Sequence, residues 1–237
     1  MFRNRALFLA VSIAAAIFPT PLLKADQFNL TIQQYGEFYY YEGVGDGGGY
    51  ASENGQIMSG KHTEDGGASF SDYFVLDLSS IPSDQTITSV SFNASNPFFT
   101  DEFGSSATVS YWLGETSAAP SDLENPTSSN TAALYGDLSN ASVSFGATPD
   151  YTFTNDGAGP TSISLQGDST FVDLLNENRG GLLAIAGNLN GGSDGVSIEP
   201  SSPVFIVTTV PEPGSSVLLS GGAAVCGLAL TRRFVKR

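Results

Sequence analysis

The chain contains one cysteine and one histidine in 237 residues. A lone thiol forms no intrachain disulfide or redox pair, and one residue of each kind builds no Cys/His zinc cluster. Positive charge is also scarce: Lys+Arg 9 stand against Asp+Glu 24. That balance excludes a nucleic-acid partner, which needs a basic face to displace counterions from phosphate. Charged residues make up only 14% of the chain, while glycine reaches 27, a composition that fits a turn-dense, exported all-β protein better than a helical cytosolic enzyme. The phosphate-binding loop Gly-x-x-x-x-Gly-Lys-Ser/Thr is missing.

The long apolar runs sit at the two ends. Arg3 and Arg5 precede a run from Ala6 to Phe18, 13 residues and too short to span a bilayer. With Pro19, Pro21 and the small Ala25 behind it, residues 1–25 read as a secretory signal peptide, passed through the Sec translocon and removed by signal peptidase after Ala25. At the other end, Val210-Pro211-Glu212-Pro213 is followed by small and apolar residues from Ser215 to Leu230 and then by Arg232, Arg233, Lys236 and Arg237. The prolines hold an extended segment. The apolar stretch is slightly short for a spanning helix, but the basic cluster can snorkel to the headgroups and fixes that end in the cytoplasm. Cys226 falls inside this tail.

Between them, residues 26–209 are expected to form one domain. Lys61 and Arg179 are its only cations against 23 carboxylates, a net charge of −21. Period-two alternation marks half-buried antiparallel strands at Val90–Ala94, Ala107–Leu113, Val143–Phe145, Tyr151–Phe153 and Ile163–Leu165. Phe74–Leu78 and Pro203–Val207 are denser and read as central or doubly covered strands. Gly, Pro, Asn and Asp clusters between these runs suggest eight to ten strands in two sheets. The one expected helix is Ser169–Glu177, with Phe171, Leu174 and Leu175 on one face and Gly180-Gly181 ending it. The fold expected is an all-β, antiparallel, jelly-roll-like sandwich with one short helix.

Candidate functional groups are spread along this domain. Tyr39, Tyr40 and Tyr41 follow Phe38 on one strand, so their rings point to both faces; Trp112 points opposite to Val109 and Tyr111. Outward rings would stack on sugar faces, and inward ones would fill a second core layer. Asp46 in Gly45-Asp46-Gly47 and Asp194 in Ser193-Asp194-Gly195 lie on glycine turns where carboxylate and carbonyl oxygens can surround calcium, although turn chemistry alone also accounts for them. No cofactor beyond this calcium candidate is expected. Glu64-Asp65 and Asp101-Glu102 are adjacent carboxylates, and His62 precedes the first pair; a glycosidase needs two carboxyls facing each other across a cleft, which sequence adjacency does not supply. Asp77 is read as a turn-bonding residue at a strand end.

The C-terminal pattern resembles the PEP-CTERM sorting signal of Gram-negative bacteria, over residues 210–237. This resemblance implies recognition of Val210, Pro211, Glu212 and Pro213 by a membrane-embedded exosortase, a transient inner-membrane anchor through the tail helix, tail removal, and delivery to the cell envelope, surface or extracellular matrix in an exopolysaccharide and biofilm context. The stretch from Asp72 through Asp77-Leu-Ser-Ser-Ile81-Pro to Ile87-Thr-Ser-Val90-Ser-Phe92 resembles the opening strand, linker and strand of secreted jelly-roll domains, a likeness of architecture rather than activity. The function expected is a non-enzymatic, polysaccharide-associated or adhesive domain that touches the membrane only through its tail before processing. The alternative is a secreted carbohydrate-active enzyme, a glycoside hydrolase or lyase, of the same fold.

Overall fold

The computed structural model describes residues 24–41, 58–62, 67–101, 107–141, 144–153, 162–191 and 196–212. The signal-peptide segment through residue 23 and the tail from Pro213 onward lie outside them. The strands are β1 (Asp26–Tyr41), β2 (Ser59–His62), β3 (Ala68–Asp77), β4 (Gln85–Asp101), β5 (Ala107–Glu115), β6 (Ser144–Ala147), β7 (Tyr151–Phe153), β8 (Ser162–Gln166), β9 (Leu182–Gly191) and β10 (Val196–Pro211). Three helices accompany them: α1 (Pro120–Glu124), α2 (Thr131–Ser139) and α3 (Ser169–Glu177).

All strand pairs are antiparallel, in the order β6-β5-β9-β3-β1-β10-β4-β8, with β7 on β5 and β2 bridging β3 and β10. The ladders form one continuous array, not two separate sheets, and the array bends into a nearly closed barrel or sandwich. β1 makes the bend. Its first residues pair with β10, from Asp26↔Thr209 to Leu30↔Phe205, and its remainder, from Thr31, pairs with β3 with a register shift between Ile32 and Gln34. Such bulges bend a strand and increase its twist. The far edges approach each other where Asp168 N–H, just past β8, donates to the Phe145 carbonyl of β6 (3.0 Å).

The inward faces converge on an aromatic core. The Phe92 and Phe205 ring centroids lie 4.9 Å apart, Phe74 lies 5.4 Å from Phe205, and Phe145 stacks on Phe171 of α3 at 4.5 Å. Each such ring, fully buried, contributes about 1.5–3 kcal/mol. β3 and β9 are covered on their outer face as well: Tyr73, Val75, Ala184 and Ala186 pack with Leu123 of α1 and Leu134 and Leu138 of α2. This double coverage explains the dense apolar run through Phe74–Leu78. Asp77 ends β3, and its carboxylate accepts the Ser79 N–H at 2.8 Å, the turn role read from the sequence.

The expectation of one helix is corrected to three among the described residues. α3 has the expected bounds, capped by Asp168, whose carboxylate accepts the Phe171 N–H at 3.0 Å; beyond it Gly180 takes a φ of +80°, which disfavours any side chain. α1 and α2 were missed because they are short, α2 contains Gly136, and their buried apolar residues are few. Packing on the sheet, rather than intrinsic propensity, accounts for helices of this length.

Register gives the domain two unlike ends. Asp26↔Thr209 and Pro211↔Gln85 place the first and last strands' outer ends together. At the opposite end lie Tyr41↔Ala68, His62↔Ala68, Asp101↔Val196, Ala107↔Phe153 and Val109↔Gly191.

The α3 contact with β4 yields a first test. Asn176 Oδ1 accepts the Ile87 N–H and its Nδ2 donates to the Ile87 carbonyl, both at 2.9 Å. Asn176→Ala leaves that peptide unit without these partners and is expected to cost about 1–3 kcal/mol, read from the urea denaturation midpoint.

Candidate functional site

The least ordinary chemistry in the described structure is inside the core. Along β3, Phe70, Asp72, Phe74 and Leu76 share one strand face by alternation, and Phe74 and Leu76 belong to the aromatic core. Asp72 is therefore an acid at an apolar position, with 0% exposure. Tyr111 of β5, also at 0%, donates its hydroxyl toward both carboxyl oxygens of Asp72, at 3.0 Å and 2.9 Å. β9 runs between the two strands and offers Gly187 at the crossing point, opposite Asp72 on one side and Leu113 on the other. A Cβ on Gly187 would lie 1.8 Å from Asp72 Oδ1 and 1.9 Å from the Tyr111 hydroxyl. The missing side chain is the space in which the pair meets.

Burial pushes the Asp72 carboxyl from 3.8 to about 8. The Tyr111 hydrogen bond and the Asp72 and Gly187 backbone amides act against that rise, and the charge of Glu37, its register partner on β1, adds to it. Burial, followed by the charge and hydrogen bond of Asp72, also raises Tyr111 well above its ordinary value. At neutral pH the pair is thus a protonated acid and a neutral phenol. A perturbed acid often marks an active site. Here neither group has exposed surface and the room over Gly187 is filled, so the pair joins strands instead of meeting a substrate.

Further polar groups tie the surrounding strands. Ser59 of β2 donates to the Gly187 carbonyl at 3.3 Å, and Ser71 to Asn188 Oδ1 at 2.9 Å. Asn188 Nδ2 reaches the Leu138 carbonyl of α2 at 3.0 Å, and the Tyr73 hydroxyl reaches the Leu123 carbonyl of α1 at 3.3 Å. Met58 N–H donates to the Glu37 carboxylate.

The candidates read from the sequence fall elsewhere. Tyr39, Tyr40 and Tyr41 are half-buried, and each ring has a neighbour: Tyr39 meets Tyr41 edge-on at 5.1 Å and Phe70 at 5.7 Å, while Tyr40 stacks on Tyr135 of α2 at 5.7 Å. Trp112 is half-buried, and its indole N–H is buried without a hydrogen-bond partner among the described residues. Val210 and Pro211 are the last residues of β10, paired with Thr86 and Gln85; Glu212 follows, and Pro213 with Arg232, Arg233, Lys236 and Arg237 lies outside the described residues. So do Asp46, Glu64, Asp65, Glu102 and Asp194. The strand ends that flank their segments include Tyr41, His62, Ala68, Asp101, Ala107, Gly191 and Val196. Among the described residues, no group of three or more His, Cys, Asp or Glu is arranged to hold a metal ion.

One open cleft of about 450 Å³ lies between the end of β5 and α2, lined by Glu115, Thr116, Ser117, Gly136, Asp137 and Asn140. Ser117 donates to Asp137 Oδ1 at 2.8 Å and Thr116 to the Asp137 carbonyl at 3.1 Å. Hydroxyl, amide and carboxylate groups of this kind can bond a polyol.

Neither a family model nor a curated protein matches the chain. Among solved structures, the K3 cleaved adhesin domain of Lys-gingipain from Porphyromonas gingivalis aligns over 77% of this chain and 99% of that domain, at 12% identity and a TM-score of 0.31. Similarity at that level carries no conclusion about fold or ligand.

The buried pair generates two predictions. Because the folded pKa of Asp72 lies above its unfolded value, its contribution is fully present below about pH 4 and is lost as pH rises through about 8. Between those limits it should reduce stability by about 1.4 kcal/mol per pH unit at most. Urea midpoints across pH 4–9 should show this slope in the wild type, and a flatter profile in Asp72→Asn. Gly187→Ala forces a methyl into the Asp72–Tyr111 contact and should cost about 1–3 kcal/mol or more, again read from urea denaturation.

Proposed function

We propose that this chain is an exported β-domain, delivered to the cell envelope or extracellular matrix by a PEP-CTERM-type tail, where it acts without catalysis as an adhesive or polysaccharide-associated module. We take its architecture as jelly-roll-like, with β1 as the strand that passes between the two walls. The observation that supports this reading is the polarity of the domain. β10 ends beside Gln85 and near Asp26, while the strand ends Tyr41, His62, Asp101 and Val196 lie at the far end. A domain carried on its C-terminal tail would then hold that far end, with the Tyr39–Tyr41 rings, outward.

Calcium suits that arrangement because an acidic module with a net charge of −21 over residues 26–209 repels acidic polysaccharide unless divalent ions bridge the two. The processed chain, mixed with the producing organism's exopolysaccharide, should be retained in calcium and released by a chelator. Asp46→Asn with Asp194→Asn should weaken retention several-fold, and Tyr41→Ala should do so if its ring meets the sugar. No retention in either condition would overturn the polysaccharide reading. Release of new reducing ends would instead favour the carbohydrate-active enzyme.

A further inference from the structure

β10 does not release the chain directly to solvent. Pro211 is its last paired residue, opposite Gln85, and having no N–H it cannot extend the ladder as a donor. Glu212 nevertheless stays on the domain. Its amide donates to the Asp84 carbonyl at 2.7 Å. Its Oε1 lies 3.1 Å from Arg179 Nη2 and accepts the Thr86 hydroxyl at 3.3 Å.

Arg179 is itself held in position. Nη1 donates to the Gln85 carbonyl, and Nε donates to the Asn176 carbonyl at 3.3 Å. One guanidinium therefore joins the residues after α3, the start of β4 and the residue after β10. In a domain whose only other cation is Lys61, it sits beside the carboxylate of the Pro-Glu-Pro element. The Arg179 side chain is 27% exposed and that of Glu212 45%, so solvent screens the ion pair and keeps it easily broken.

We infer that Arg179 is a latch that holds Glu212 against the domain and regulates access of the processing enzyme to the Pro211-Glu212-Pro213 element. This rests on the sorting function proposed above. An enzyme that reads the element in extended form needs the Glu212 amide and carboxylate, and in the latched state both are already engaged. The enzyme then acts on the opened fraction alone, and its apparent affinity falls by that fraction. Whatever loosens the latch speeds processing.

The test follows tail removal by pulse-chase and mass shift for full-length chains in an exosortase-bearing host. Arg179→Gln should lose its tail about two- to five-fold faster than the wild type, the range an ion pair of this exposure permits, with Arg179→Lys in between. Because Arg179 also bonds Gln85 and Asn176, Thr86→Val provides a second variant that removes only the hydroxyl contact to Glu212; it should also be processed faster, with an unchanged melting temperature. Hydrogen exchange at the Glu212 amide should quicken in both variants while that of Val207 stays protected. Equal rates in wild type and Arg179→Gln would overturn the latch and leave the sorting function standing. A faster Arg179→Gln with a lowered melting temperature, beside an unaltered Thr86→Val, would assign the effect to global unfolding and overturn it too. Retention of the tail by every chain, with Pro211→Ala and Pro213→Ala distributed like the wild type, would remove the sorting function and the latch together.

Discussion

The domain is organised around a position where a side chain is missing. At Gly187 the central strand β9 leaves room for an acid from β3 and a phenol from β5 to meet across it, so three neighbouring strands are joined by one contact as well as by their ladders. Tyr111 also stacks on Phe92 at 5.9 Å, and Phe92 packs on Phe205 and Phe74. The polar contact therefore passes into the aromatic core and, through it, to the opposite wall. A buried acid is expensive when charged; keeping its proton lets it remain among phenylalanines.

The same strands carry a second layer outside. α1 and α2 bring few apolar side chains, but Tyr73 and Asn188 reach helix carbonyls and fix where the helices sit. Gly36 of β1 serves this layer as Gly187 serves the inner one: a Cβ there would lie 2.9 Å from the Tyr73 hydroxyl. Gln34 Nε2 donates to that hydroxyl at 3.0 Å and approaches the Leu123 carbonyl at 3.3 Å. The outer face is thus registered by hydrogen bonds as well as by the apolar side chains it buries.

Much of this was legible in the sequence because alternation reports which faces are inward. Val90–Ala94, Ala107–Leu113 and Ile163–Leu165 all fall on described strands, and Ser169–Glu177 has the bounds of α3. Asp72 and Gly187 were legible in principle, since each interrupts an apolar alternation, Phe70-x-Asp72-x-Phe74 and Leu183-x-Ile185-x-Gly187. Their partnership was not legible, because it depends on β3 and β5 flanking β9, a fact of long-range pairing. The Arg179 contact was hidden in the same way: it joins residues 33 apart in the sequence through the meeting of α3 and the last strand. The helices over 120–139 escaped because their burial is provided by the sheet rather than by their own pattern.

The position of β10 has a mechanical consequence. It is flanked by β4 from Val196↔Asp101 to Pro211↔Gln85, and by β1 at its C-terminal half. A domain held by the segment after Glu212 and pulled from its far end would be loaded along its strands, while antiparallel hydrogen bonds run across them. Many bonds would then share the force at once instead of opening one by one, so tension would meet its greatest resistance along the tether axis. Tension applied between the start of β1 and the end of β10, which lie side by side, would peel β1 from β10 starting at Asp26↔Thr209. The same ladder is thus strong in one direction of pull and weak in the other.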